Sequence, residues 1–301
     1  MMQLKQTVKQ FEDFKALDGV DLEIPKGTAF GLLGSNGAGK STILRLFSGI
    51  YKPESGEVLI DDEPVYDNVQ AKQKVFFIND ETIQFSNFTL MQLKNFYKQF
   101  YPNFSEEIFK KLEDAIQLPL HKKISTFSKG MKRQAIVITG IACCTPYLLL
   151  DEAFDGLDPT MRIIVKRMLV DAMCERELTV VISSHNLKEI NEMCDTAALL
   201  HHGKIIFNRQ LDSLKGAVHK IQAAFQDKTR IFSAQDFPGL EILHFEKTQS
   251  IYHIIAKGSE EQIHQALAPC HPVLEDLVPL SLEEIFIYEL EVLGYDSQVF
   301  A

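Results

Sequence analysis

Residues Gly34 to Thr42 read Gly-Ser-Asn-Gly-Ala-Gly-Lys-Ser-Thr, and this stretch constrains the chain more than any other. It fits the phosphate-binding loop pattern G-x-x-x-x-G-K-[ST] at Gly34, Gly39, Lys40 and Ser41. Small residues at Ser35, Asn36, Gly37 and Ala38 let successive backbone N–H groups turn inward and form an anion nest. Lys40 brings a full positive charge to the β- and γ-phosphates of a nucleotide, and the Ser41 hydroxyl suits Mg²⁺. The preceding run Ala29-Phe30-Gly31-Leu32-Leu33 is short and apolar, as a buried strand should be. Ile43-Leu44-Arg45-Leu46-Phe47 has helical spacing. The loop is therefore expected between strand and helix, with the helix N-terminus aimed at phosphate.

The chain has 301 residues, 46% of them hydrophobic, enough for one large or two ordinary domains. Its net charge of −10 argues against a general nucleic-acid-binding surface. No cationic stretch followed by an apolar core marks a secretion signal, and none is expected. Cys143, Cys144, Cys174, Cys194 and Cys270 show no metal-ligand spacing and are expected to be reduced thiols. Ala135 to Leu150 carries no charge but is too short for a membrane span. Its Thr145-Pro146 suggests a buried helix ending near Cys144, a turn and then a strand.

Along the chain, residues 1–30 suggest antiparallel strands around a turn at Asp18-Gly19, with a second turn at Pro25-Lys26-Gly27. Residues 51–66 suggest further short strands, and 88–142 is mostly helical, with Ser105 as an N-cap ahead of two acids. From Tyr147 strands and helices alternate: a strand over 147–150, a helix over 160–177, a strand over 178–184, a helix over 187–194, and two strands flanking His201-His202-Gly203. That order indicates a mainly parallel sheet with helices on its faces, an α/β class. Composition shifts near Leu214. Alternating runs then predict a small α+β domain of strands, a helix over 259–267 and a helix over 281–293, together covering a half-buried sheet.

Leu148-Leu149-Leu150-Asp151-Glu152 reads as a buried strand ending in a carboxylate pair. Asp151 is expected in the Mg²⁺ shell and Glu152 as general base or water positioner. His185 directly follows a strand, at the edge where ligands bind in open α/β sheets, and can reach a γ-phosphate.

Ordered in this way, the motifs over roughly residues 2–215 resemble the ATP-binding subunit of an ABC transporter. Phe127-Ser128-Lys129-Gly130-Met131 stands where that family has its L-S-G-G-Q signature and keeps Ser128 and Gly130 of it. The resemblance implies that these two contact the γ-phosphate of ATP held by the opposite subunit. Gly156-Leu157-Asp158 matches the family's interface loop, with Asp158 beside the nucleotide. Phe11 matches the aromatic that stacks on adenine. The family's Mg²⁺-contacting glutamine is missing; Asp80 is its preferred match here, an additional negative charge beside a triphosphate.

The resemblance implies a P-loop NTPase core over 1–214 with an antiparallel β subdomain and a helical subdomain at about 86–144; the α+β domain expected from the alternating runs follows at 215–301. It implies ATP and Mg²⁺ as cofactors, ATP hydrolysis, and a homodimer or heterodimer with a related ATPase subunit. The partners would be integral membrane permease subunits, with no nucleic acid expected. The chain would work in the cytoplasm, on the inner face of the cell membrane, and drive export. A ribosome- or nucleic-acid-directed ABC protein usually pairs two ATPase units in one chain or carries long coiled coils; this chain has one phosphate loop and no heptads. A phosphate-loop kinase or GTPase leaves residues 127–131, Asp158 and His185 unexplained.

Overall fold

The computed structural model describes residues 1–79, 85, 87–154, 157–215, 218–227, 229–278 and 280–292. Two compact units make up the chain, Met1–Asn208 and Arg209–Ala301.

The first unit opens with β1 (Met2–Phe11) and β2 (Phe14–Ile24), then β3 (Ala29–Leu33), α1 (Lys40–Phe47), β4 (Ser55–Ile60), β5 (Glu63–Pro64), α2 (Val69–Gln73) and β6 (Val75–Ile78). The helical part follows as α3 (Leu90–Lys98), α4 (Glu106–Ile116) and α5 (Lys129–Ala142). Next come β7 (Tyr147–Asp151), α6 (Pro159–Arg176), β8 (Thr179–Ser184), α7 (Leu187–Met193), β9 (Thr196–His201) and β10 (Lys204–Gln210), the last of which runs two residues past the unit's end at Asn208.

These strands form two sheets. One is antiparallel, in the order β2-β1-β4-β5. The other runs β10-β9-β3-β8-β7-β6, and the pairs from β9 through to β6 are parallel. β3, β7 and β8 are buried at every position, which explains why they read as continuous apolar runs rather than alternating ones. Leu4, Leu22 and Ile60 of the antiparallel sheet meet Phe30, Leu32, Ile43, Phe47, Leu149 and Val181 in one core, so α1 is held between the two sheets.

The expected turn at Asp18-Gly19 is corrected by the structure. Phe11 pairs with Phe14, so the chain reverses at Glu12-Asp13, with Glu12 at φ 49°. Gly19, at φ 68°, lies inside β2, where the pairing with β1 shifts register around Gln6 (φ 45°). The glycine serves an irregularity within the strand pair, a use that sequence alone does not separate from a turn.

The chargeless segment divides as expected into the end of α5, a turn and β7. Among the described residues no helix is long and apolar enough to cross a membrane. The five cysteines are free thiols.

The second unit holds α8 (Leu211–Lys215), β11 (Val218–Phe225), β12 (Glu241–Thr248), β13 (Ile251–Lys257), α9 (Glu260–Leu267), β14 (Pro272–Val278) and α10 (Leu282–Val292). Its sheet is antiparallel, in the order β12-β13-β11-β14. Ile263 and Leu267 of α9 enter a core with Ile221, Phe225, Tyr252 and Ile254. The two helices do not share a face. α10 reaches Lys220 through Glu284 (2.9 Å) and His244 through Tyr288 (ring centroids 5.6 Å). Lys220 and His244 alternate with the core residues Ile221 and Phe245, so α10 lies on the other side of the pleat.

Candidate functional site

Parallel register brings four chain segments to one sheet edge. Leu33 lies level with Ser184, Asp151 with Ser183, and Ile78 with Leu150. The loops leaving β3, β7, β8 and β6 therefore emerge side by side at the carboxyl ends of the strands, where open α/β sheets bind ligands.

The loop from Gly34 to Gly39 is shaped by its glycines. Gly34 has φ 151° and Gly39 φ 112°. A Cβ on Gly34 would sit 2.5 Å from the Leu200 carbonyl oxygen, and one on Gly39 would sit 2.8 Å from the Ala16 oxygen. The backbone is thus pressed against its neighbours and curls around Lys40, whose Nζ donates to the carbonyls of Gly34 (2.6 Å) and Ser35 (3.1 Å). Lys40 is 5% exposed. Burial pushes its pKa below the ordinary lysine value, while the charges of Glu152 and Asp151 pull the other way. The start of α1 carries no side-chain cap, and its N–H groups together with the buried Lys40 ammonium make a site that favours phosphate, against the charge of the two carboxylates.

The acidic pair is divided between two surroundings. Asp151 is buried and its Oδ1 accepts from Ser41 Oγ (3.0 Å) and from Ser183 Oγ (2.5 Å). Glu152 takes φ 48°, an uncommon backbone conformation for a non-glycine residue, and its N–H donates to Ser183 Oγ and to the Ser183 carbonyl. Arg133 on α5 donates to the carbonyls of Glu152 (3.3 Å) and Asn79 (2.9 Å). The carboxylate of Glu152 is partly exposed, 3.6 Å from Nδ1 of His185.

A cleft of about 170 Å³ runs beside this constellation. Phe11, Asn36, Gly37, Ala38, Gly39, Lys40, Ser41, Thr42 and Glu152 all line it, so sequence-expected residues from three segments meet there. Gly34 and Ser35 form the base of the same loop. Phe11 is no core residue: it is 38% exposed at the end of β1, edge-on to Tyr51.

Ser128, Gly130 and Asp158 are not part of the cleft lining. Ser128 caps α5, its Oγ accepting from the Met131 N–H (3.2 Å), and Asp158 caps α6 through the Met161 N–H (3.0 Å). Phe127 is buried, which fills the apolar first position of the motif. Asp80 and Gly156 lie outside the described residues.

Among the described residues, contributors that escaped the sequence reading include Ala16, Phe14, Ser183 and Arg133. Phe14, 59% exposed, lines the cleft beyond the hairpin turn from Phe11. Its place three residues after Phe11 was the available signal. Ser183 and Arg133 carried no local signal, because only the register and the buried course of α5 bring them to the acids.

Comparison with known proteins agrees with this geometry. Residues 17–155 match the ABC transporter family profile. The ABC transporter ATP-binding protein YtrB of Bacillus subtilis is 31% identical over 95% of this chain and 97% of its own length. The methionine import ATP-binding protein MetN 1 of Staphylococcus epidermidis is 31% identical over 73% of this chain and 67% of its own. A dimeric post-hydrolysis ATP-binding cassette with ADP and Pi superposes with a TM-score of 0.63, at 22% identity, over 70% of this chain and 99% of that one. With that identity to YtrB sustained over nearly the whole of both chains, on a phosphate loop, acidic pair and strand order built in this way, the chain belongs to the ABC transporter ATP-binding subunits, ATP hydrolases of the P-loop NTPase fold.

Proposed function

We propose that two copies of this chain close head to tail around two ATP molecules, and that closing, hydrolysis and reopening drive export through separate integral membrane subunits. The observation that carries this reading is the single cleft in which the Glu152 carboxylate faces the loop over Asn36–Thr42. A nucleotide there has its phosphates on the loop and Lys40, and its adenine against Phe11. Glu152 would accept the proton of the attacking water, and His185, beside it, would contact the γ-phosphate.

The donor set fits Mg²⁺. Ser41 Oγ and Asp151 Oδ1 lie 3.0 Å apart, both hard oxygen donors. Among the described residues no group of three or more His, Cys, Asp or Glu is placed to hold an ion by itself. Bound there, Mg²⁺ would neutralise charge on the phosphates.

Ser128 and Gly130 do not line the cleft of their own chain. Ser128 is exposed at the start of α5. Its hydroxyl and the neighbouring N–H groups would complete the site of the other copy. Gly130→Asp would put a carboxylate where phosphate must sit. It is expected to abolish ATP-dependent dimerisation in a Glu152→Gln background while leaving ATP binding by the monomer within about two-fold. Equal dimer formation with and without the substitution, measured by size exclusion, would refute the role.

Export rests on the resemblance of the altered signature and the second unit to bacterial exporters. The membrane partners are tested by pull-down of the tagged chain from native membranes. A multi-helix membrane protein is expected with it, and recovery of the chain at the membrane without one would contradict the reading.

A further inference from the structure

We infer that Glu189 is a positioning residue for hydrolysis, tying the start of α6 to the strand end that carries His185. The inference rests on the reading of the Glu152–His185 site given above. Glu189 lies on α7 and is 6% exposed, an unusual place for a carboxylate. Its two oxygens are divided between two elements. Oε2 accepts from Ser184 Oγ (2.9 Å), and Oε1 lies 3.1 Å from Nη1 of Arg162 on α6.

Both ends of this link continue toward function. Arg162 Nε donates to the Leu157 carbonyl (3.2 Å), at the segment where Asp158 caps α6. Ser184 Oγ accepts from the Asn186 N–H (2.9 Å), so the two residues flanking His185 are bound to each other, and Ser184 is bound in turn to Glu189. His185 in turn stands 3.6 Å from Glu152. A cleft of about 500 Å³ opens beside the pair, lined by Leu157, Pro159, Arg162, Asn186 and Glu189, and Lys166 of α6 pairs with Glu192 of α7 at the same cleft.

The physics favours transmission over mere anchoring. A buried carboxylate that loses its cation is left as an uncompensated charge, so Arg162 and Glu189 move together or not at all. A shift of the α6 start, where a second copy would press, therefore pulls on Ser184 and on the backbone of His185. A simple staple between α7 and β8 would need only the Ser184 bond and no arginine from α6.

The test is Glu189→Gln, nearly isosteric, which keeps a partner for Ser184 and removes the charge facing Arg162. ATP affinity and KM are expected to stay within about two-fold while kcat falls roughly ten-fold, the size of a typical coupling within one hydrogen-bonded network. Arg162→Gln breaks the same pair from its more exposed side and is expected to give the same loss, with the double variant no worse than either. In a His185→Ala background, Glu189→Gln is expected to leave the residual single-turnover rate unchanged. An unaltered kcat in both single variants would overturn the inference, as would a ten-fold loss that persists without His185. Absence of ATP hydrolysis by the unaltered chain would count instead against the reading of the site itself.

Discussion

Glu152→Gln is expected to bind ATP as tightly as the unaltered chain and to hydrolyse it on the order of 100-fold more slowly or worse, the usual cost of losing a general base. The amide has the size of the carboxylate and leaves the backbone untouched. The φ of 48° at this residue is held by its N–H to Ser183 and by Arg133 on its carbonyl, neither of which involves the side chain. What disappears is, among the described residues lining the cleft, the one carboxylate able to take a proton from water; Asp151 is already engaged by Ser41 and Ser183. Slow hydrolysis with tight binding should also accumulate the ATP-bound dimer. Phosphate release and nucleotide titration on the same preparation check both halves. Hydrolysis at the unaltered rate would remove Glu152 from its role.

Lys40→Ala should act on binding itself. The affinity for ATP is expected to fall roughly 10- to 100-fold, the range for a hydrogen bond to a charged group. The apo protein loses less than the complex does. Its Lys40 ammonium stands largely desolvated between two carbonyls and two carboxylates, so removing it lifts a burial penalty as well as two hydrogen bonds. Only in the complex does the charge meet phosphate. Isothermal titration of ATP decides the matter, and an affinity within two-fold of the unaltered chain would contradict the placement of the phosphates.

The sequence made the nucleotide loop and the strand Tyr147–Asp151 legible because both are local. The first is fixed by glycines at positive φ, the second by an unbroken apolar run ending in acid. What stayed hidden depends on pairing between distant segments. Asp18-Gly19 carries a stronger turn signal than Glu12-Asp13, yet the pairing of Phe11 with Phe14 puts the reversal at the latter. Arg133 reads as a surface charge inside Lys132-Arg133-Gln134, but α5 is buried along most of its length and turns Arg133 onto the acidic loop. Glu189 reads as an ordinary helix acid between Lys188 and Ile190. Its burial follows from α7 packing on β3 and β8. In each case the deciding neighbour lies on another element, and no local pattern encodes it.

We propose that each complete ATP site is shared, with the phosphate loop from one copy and Ser128 and Gly130 from the other. Mixing two inactive variants tests it most directly. Lys40→Ala keeps the α5 start and spoils the loop, whereas Gly130→Asp does the reverse. Head-to-tail pairing gives each mixed dimer one site built from two intact halves. Only mixed dimers can close on ATP, each with one good site of two, so an equal mixture is expected to recover up to about half of the unaltered ATPase rate. A mixture no more active than the sum of its separate components would contradict the shared site.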